Sequence, residues 1–187
     1  VSIGSVCLPF PIPQSLCSDA CSTTKGLFDV QSCTIRVPAN LNISNGAVII
    51  AEYENNGEGT ILSGIQNYIL NIARYYSKEY SQICFVDPIR YNSSSLGCLA
   101  ELCGGSGSLI DSVPNSVEEL RNKVKSIITE ANIREVRSKS IGIQRKQNAL
   151  YVFHNFPQSY DASVVAQIQQ LCVNAQHYGS TVILTNN

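Results

Sequence analysis

The chain has 187 residues, 44% of them apolar, with 13 Lys and Arg against 14 Asp and Glu and charged residues at only 14%. That length suits one domain with a sizeable core, and the near-neutral charge excludes the long-range positive field behind avid nucleic-acid or anionic-membrane binding. No apolar run reaches the roughly 18–20 residues that span a bilayer, and no basic-plus-apolar signal segment opens the chain.

Residues 1–30 are rich in Pro, Ser and Cys, and Pro9, Pro11 and Pro13 alternate with single residues, so this stretch reads as an extended, irregular leader. Residues 31–187 read as the folded domain. Cys33 to Val37 has the composition of a short edge strand. Gly46 then introduces Ala47 to Ala51, a continuous apolar run of the kind buried on both sheet faces, and similar runs follow at Ile83 to Val86, Leu150 to Phe153 and Thr181 to Thr185. Helical periodicity fills the intervals. Ile61, Leu62, Ile65, Tyr68, Ile69, Ile72 and Ala73 share one face. Ser116 and Glu119 form a capping-box start, with Val117, Leu120, Val124, Ile127, Ile128 and Ala131 as the stripe behind it. Asp161 is an N-cap for a third helix with Val164, Val165, Ile168, Leu171, Cys172 and Ala175 buried, and Gly179 ends it. Between them, Ser93 to Ser108 with its Gly104–Gly107 run reads as the main loop, a mobile one. Apolar strands alternating with amphipathic helices predict an α/β three-layer sandwich, its mostly parallel sheet joined by right-handed crossovers.

The eight cysteines form no regular framework. Cys84 and Cys172 fall in apolar patterns that suit buried free thiols. Cys17 with Cys21 and Cys98 with Cys103 lack the spacing of a zinc site, and no metal is expected. A chain that builds its own core has little need of disulfide staples.

In open α/β sheets ligands bind beyond the carboxyl ends of the strands, so the loop after Ala51 is the first candidate site. It runs through Gly57, Glu58, Gly59 and Thr60 straight into a helix, the layout of a phosphate-binding P-loop. No register supplies the Lys that reaches the terminal phosphates, and Glu58 would face phosphate charge at a cost of about 3 kcal/mol per charge pair, taking 5 Å and an effective dielectric near 20. The strand expected to end in the metal-binding acids continues instead as His154 and Asn155. Neither is a catalytic carboxylate.

The order of these elements resembles the P-loop motor domains of the FtsK/SpoIIIE class, and most closely the tandem ATPase domains of the EssC/EccC proteins of type VII secretion. The carrying stretches are Ala47 to Arg74 at the Walker A unit and Tyr76 to Pro88 with its terminal Asp87. Ser116 to Arg137 stands at the long charged helix, Ala149 to Phe156 at the Walker B strand, and Tyr178 to Thr185 at the strand bearing a sensor-like polar residue. The resemblance covers residues from about 33 to 187 and implies a P-loop NTPase fold of the RecA/FtsK type. With both diagnostic motifs altered, it implies a structural or regulatory module with little nucleotide binding or hydrolysis, ATP and Mg²⁺ entering only if the site works. It further implies neighbouring ATPase domains on the same chain, a secretion-substrate peptide as partner, a hexamer in the full-length protein, and a cytoplasmic position in a membrane-anchored protein. The start at Val1 and the absence of Met read as an excised piece of a longer chain, and no direct nucleic-acid contact is expected. The alternative reading is an active ATP-dependent DNA or protein translocase, its site completed by a neighbouring subunit or by Lys25 or Lys78. A further alternative, a small ligand over Gly104–Gly107, lacks a helix directly after the loop.

Overall fold

Four short strands pair side by side in one direction: β4 (Ala47–Glu52), β5 (Tyr80–Val86), β6 (Asn148–Phe153) and β7 (Ser180–Asn186), in the order β4-β7-β6-β5 and parallel throughout. The computed structural model describes residues 2–9, 28–29, 34–40, 46–77, 80–105, 107–140 and 148–187. They divide into two units, Val1–Leu41 and Asn42–Asn187.

In the first unit, β1 (Ser2–Pro9) pairs antiparallel with β3 (Thr34–Asn40), which also pairs with the short β2 (Phe28–Asp29). Two expectations are corrected here. Residues 2–9 are extended but not irregular, because the closely spaced prolines lie at and beyond Pro9 and leave the preceding amides free for a ladder. The strand foreseen at Cys33 to Val37 starts at Thr34 and is the middle strand of its sheet rather than an edge. Its partners hold residues 34–40 with the first unit, so the division falls at Leu41 rather than near residue 30.

In the second unit, parallel pairing requires crossovers, and the amphipathic segments supply them. The helix α1 (Glu58–Tyr75) follows β4 and buries Leu62, Ile65, Tyr68, Ile69 and Ile72. On the opposite face lie α2 (Val117–Ser140) and α3 (Ala162–Val173). Leu120, Val124, Ile127 and Ala131 of α2 and Val164, Ile168 and Leu171 of α3 pack on Cys84, Val86, Tyr151, Phe153, Val182 and Leu184. A one-turn α4 (Ala175–Tyr178) continues after Asn174, and Gly179 ends it in the left-handed region at φ 61. The start of α2 is capped by Ser116 as its sequence predicts, the Glu119 N–H donating to Ser116 Oγ at 3.2 Å, while the Glu119 carboxylate accepts the Asn115 N–H at 3.0 Å rather than that of Ser116. Asp161 occupies the N-cap of α3 without a side-chain cap bond, because its carboxylate is engaged by Arg121, whose Nε lies 2.7 Å away.

The structure differs from expectation at both sheet edges. Ser93–Leu102 forms 3₁₀ turns with a kink at Gly97, and Leu96 and Leu99 are buried, so the apolar residues in this Ser-rich stretch anchor it. After it, Ile110 bridges in parallel to Ile83, with the Ile83 N–H donating to the Leu109 carbonyl at 2.8 Å and the Asp111 N–H to the Ile83 carbonyl at 2.9 Å. The Asp111 carboxylate holds Gln82 and Lys123, each at 2.6 Å, and accepts from the Cys84 thiol at 3.0 Å. Among the described residues β4 is the other edge, and only one of its faces is covered: Val48 and Ile50 are 41% and 66% exposed. Its uniform apolarity, read as burial on both faces, reflects one packed and one open face.

Gly46, at φ 74, lies where an added Cβ would approach the Ala175 carbonyl oxygen to 2.6 Å and the Ser180 oxygen to 2.8 Å. Gly64, within α1, has no atom within 4 Å of such a Cβ. In urea unfolding, Gly46→Ala is expected to destabilise by about 2 kcal/mol or more, from strain and backbone collision together. Gly64→Ala is expected to stabilise by about 0.5–1 kcal/mol through helix propensity alone.

Candidate functional site

The carboxyl ends of the parallel strands bring together segments distant in sequence: the turn after β4, Asp87 after β5, His154 and Asn155 after β6, and Thr185 within β7. The candidate site is built from these. Residues Asn55–Gly57 make one 3₁₀ turn and Glu58 opens α1 directly. Gly57 has φ −74 and neither it nor Gly59 adopts positive φ, so the turn has no alternating-handed backbone nest of the sort that cradles phosphates. Gly59 and Thr60 are exposed on the first turn of α1, and a Cβ on Gly59 would meet nothing within 4 Å. Gly57 sits against Tyr53, whose Cβ would lie 3.1 Å from an added one.

Of the four loop residues singled out by sequence, Glu58 alone enters the polar network. Its carboxylate takes a two-pronged ion pair from Arg90, with Nη1 at 2.9 Å and Nη2 at 3.1 Å, and accepts from His154 Nε2 at 2.9 Å. Hydrogen bonds from Arg90 first, and from His154 second, hold its carboxyl down at about 2. The charge also lies in the first turn of α1, where the helix dipole favours an anion.

His154 is fully buried. Since the carboxylate of Glu58 only accepts, Nε2 carries a proton. Nδ1 lies 2.7 Å from Thr185 Oγ1, which also accepts the Asn155 N–H at 3.1 Å, so a neutral imidazole accepting the Thr185 hydroxyl proton at Nδ1 satisfies every member. The ring lies between Tyr53 and Phe85, each with its centroid 6.3 Å away. The Tyr53 hydroxyl donates to Asn155 Oδ1. Asn155 itself has φ 55, a conformation Asn tolerates better than most residues.

Arg90 continues the network to Asp87 Oδ2 and Ser95 Oγ, both at 3.2 Å. Burial pushes the Asp87 carboxyl up, but the Ser95 hydroxyl, the N–H groups of Arg90 and Ile89 and the Arg90 guanidinium outweigh it and leave the group below its ordinary value. Arg90 is in turn held above its ordinary value, chiefly by Glu58. Arg90, Tyr53 and Ser95 were not foreseen as site residues. The signal for Arg90 was its place three residues beyond the strand-ending Asp87, within reach of the same loop cluster.

Thr185, His154 and Glu58 align hydroxyl, imidazole and carboxylate, superficially a nucleophile relay. The hydroxyl is fully buried and committed to Asn155 and His154. It presents no nucleophile to an outside substrate. Among the described residues no group of three or more His, Cys, Asp or Glu converges as a metal site, and Cys84, Cys98, Cys103 and Cys172 are free thiols, Cys172 only half-buried. Cys17, Cys21, Lys25 and Lys78 lie outside the described residues. Among the described residues no helix is long and apolar enough to cross a membrane.

No protein-family model matches the chain, and no curated protein matches it in sequence. Solved structures do match. ATPases 2 and 3 of Thermomonospora curvata EccC, in complex with a signal sequence peptide, align over 85% of this chain with a TM-score of 0.60 and 15% identity. The fold is that of the type VII secretion ATPase domains. The cytoplasmic domain of the Thermomonospora curvata type VII secretion ATPase EccC aligns over 80% of this chain with a TM-score of 0.57, and ATPases 2 and 3 of Geobacillus thermodenitrificans EssC over 83% with 0.55, each at 15% identity. The chain spans 28%, 17% and 27% of these three chains, respectively.

Glu58→Gln keeps the side-chain shape and removes the charge shared by Arg90 and His154. Because the folded-state pKa of about 2 is below the unfolded one, the stabilisation is present above roughly pH 4.5 and is lost as pH falls through about 2. The variant should be less stable than the parent by about 1 kcal/mol at pH 7, after discounting for solvent screening, with the gap closing on acidification. Urea unfolding of both proteins across pH checks this.

Proposed function

We propose that this chain is a structural or regulatory ATPase-fold module of a type VII secretion-type motor, with weak or absent binding and hydrolysis of ATP. The observation supporting this reading is the Glu58 carboxylate, paired with Arg90 and His154 in the first turn of α1. In a working P-loop that helix terminus faces phosphate, a Lys precedes the Ser or Thr, and an acid at the next strand end holds Mg²⁺. Here an internal anion already complements the helix terminus. A nucleotide would have to displace it or lie beside it, at about 3 kcal/mol for each phosphate charge near 5 Å. Gly59 stands in the Lys position when Thr60 is aligned with the Ser or Thr, and His154 and Asn155 stand in place of the acids.

On this reading the module works beside other ATPase domains of the same polypeptide, on the cytoplasmic side of a membrane-anchored protein that forms a hexamer, and its partner is a secretion-substrate peptide. The signal sequence peptide bound to the Thermomonospora protein supports that partner class. On the same reading ATP and Mg²⁺ are not required for the module's fold, since Glu58, Arg90, His154, Thr185 and Asp87 bond to one another.

Thermal unfolding with and without ATP and Mg²⁺ tests the reading. A ligand at one hundred times its Kd stabilises by about 2.7 kcal/mol, which for a domain of this size raises Tm by about 2–4 °C per kcal/mol. Millimolar ATP is expected to leave Tm unchanged, with no Mg²⁺-dependent release of phosphate. A Tm rise of about 5 °C or more, together with turnover, overturns the reading in favour of an active translocase.

A further inference from the structure

We draw no further inference here: the strongest candidate, the open polar crevice of about 280 Å³ between Ser112, Pro114 and the first turns of α2, carries none because its Lys123 ammonium is already held by Asp111 and its Glu119 carboxylate by the Asn115 N–H, which leaves nothing in the structure to select a ligand for it.

Discussion

The site depends on one shared carboxylate, that of Glu58. It is the meeting point of three chain segments, because Arg90 approaches it from the loop after β5 and His154 from the end of β6 while Glu58 itself opens α1. Each partner solves a burial problem. His154 is fully enclosed and needs acceptors and donors at both ring nitrogens, which Glu58 and Thr185 supply. Asp87 is buried as well, and is tolerable as an anion only because Ser95, two backbone N–H groups and Arg90 bond to it. Removing Glu58 would therefore leave Arg90 with one buried carboxylate and His154 with one partner.

The same network explains why the Ser-rich segment after β5 is ordered. Ser95 is held through Asp87 and Arg90, and its carbonyl accepts from Gln66 of α1 at 3.0 Å. Leu96 and Leu99 are then buried beneath it. The segment returns to β5 through Ile110, and the Asp111 cluster fastens it to α2 by way of Lys123. A polar contact at the strand ends and a sheet-edge cover thus belong to one continuous run of chain. Nothing comparable continues from the turn after β4, whose Tyr53 side chain is directed inward onto His154 and Asn155. Among the described residues one edge of the sheet is sealed and the other is left with its apolar rows showing.

Most of the second unit was legible in the sequence, because burial there follows simple periodicities. The faces of α1, α2 and α3 were marked by Ile65, Tyr68 and Ile72, by Val124 and Ile127, and by Val164 and Ile168, and all of these are buried. The state of β4 was not legible. An unbroken apolar run fits a strand covered on two faces and equally an edge strand whose outer face awaits a partner, and periodicity does not separate the two. Of the first unit only the strand near Cys33 to Val37 was foreseen, because Pro9, Pro11 and Pro13 suggested irregular chain, whereas the pairing of β1 with β3 is a long-range event with no local signature. At the site, sequence spacing identified Glu58, His154 and Asn155 one by one, and their hydrogen bonds arise only from the parallel order β4-β7-β6-β5, which sets β7 between β4 and β6. Arg90 comes in from the loop after β5.

Charge balance relates the residues of the site as a set. A helix N-terminus at the end of a parallel strand carries partial positive charge and unpaired N–H groups, and some anion must complement it. In a nucleotide-binding loop the anion is a phosphate, and a Lys and Mg²⁺ then neutralise the excess negative charge. With Glu58 in the first turn the anion is covalently part of the chain, and Arg90 is shared between it and Asp87. Asp87, at the end of β5, is a second carboxylate on the same Arg90, and His154 at the end of β6 donates to Glu58 through Nε2. Glu58, Arg90, Asp87 and His154 are therefore linked features of one electrostatic arrangement. Replacing Glu58 by a neutral residue that cannot accept would leave Arg90 paired with Asp87 alone and His154 Nε2 without its acceptor.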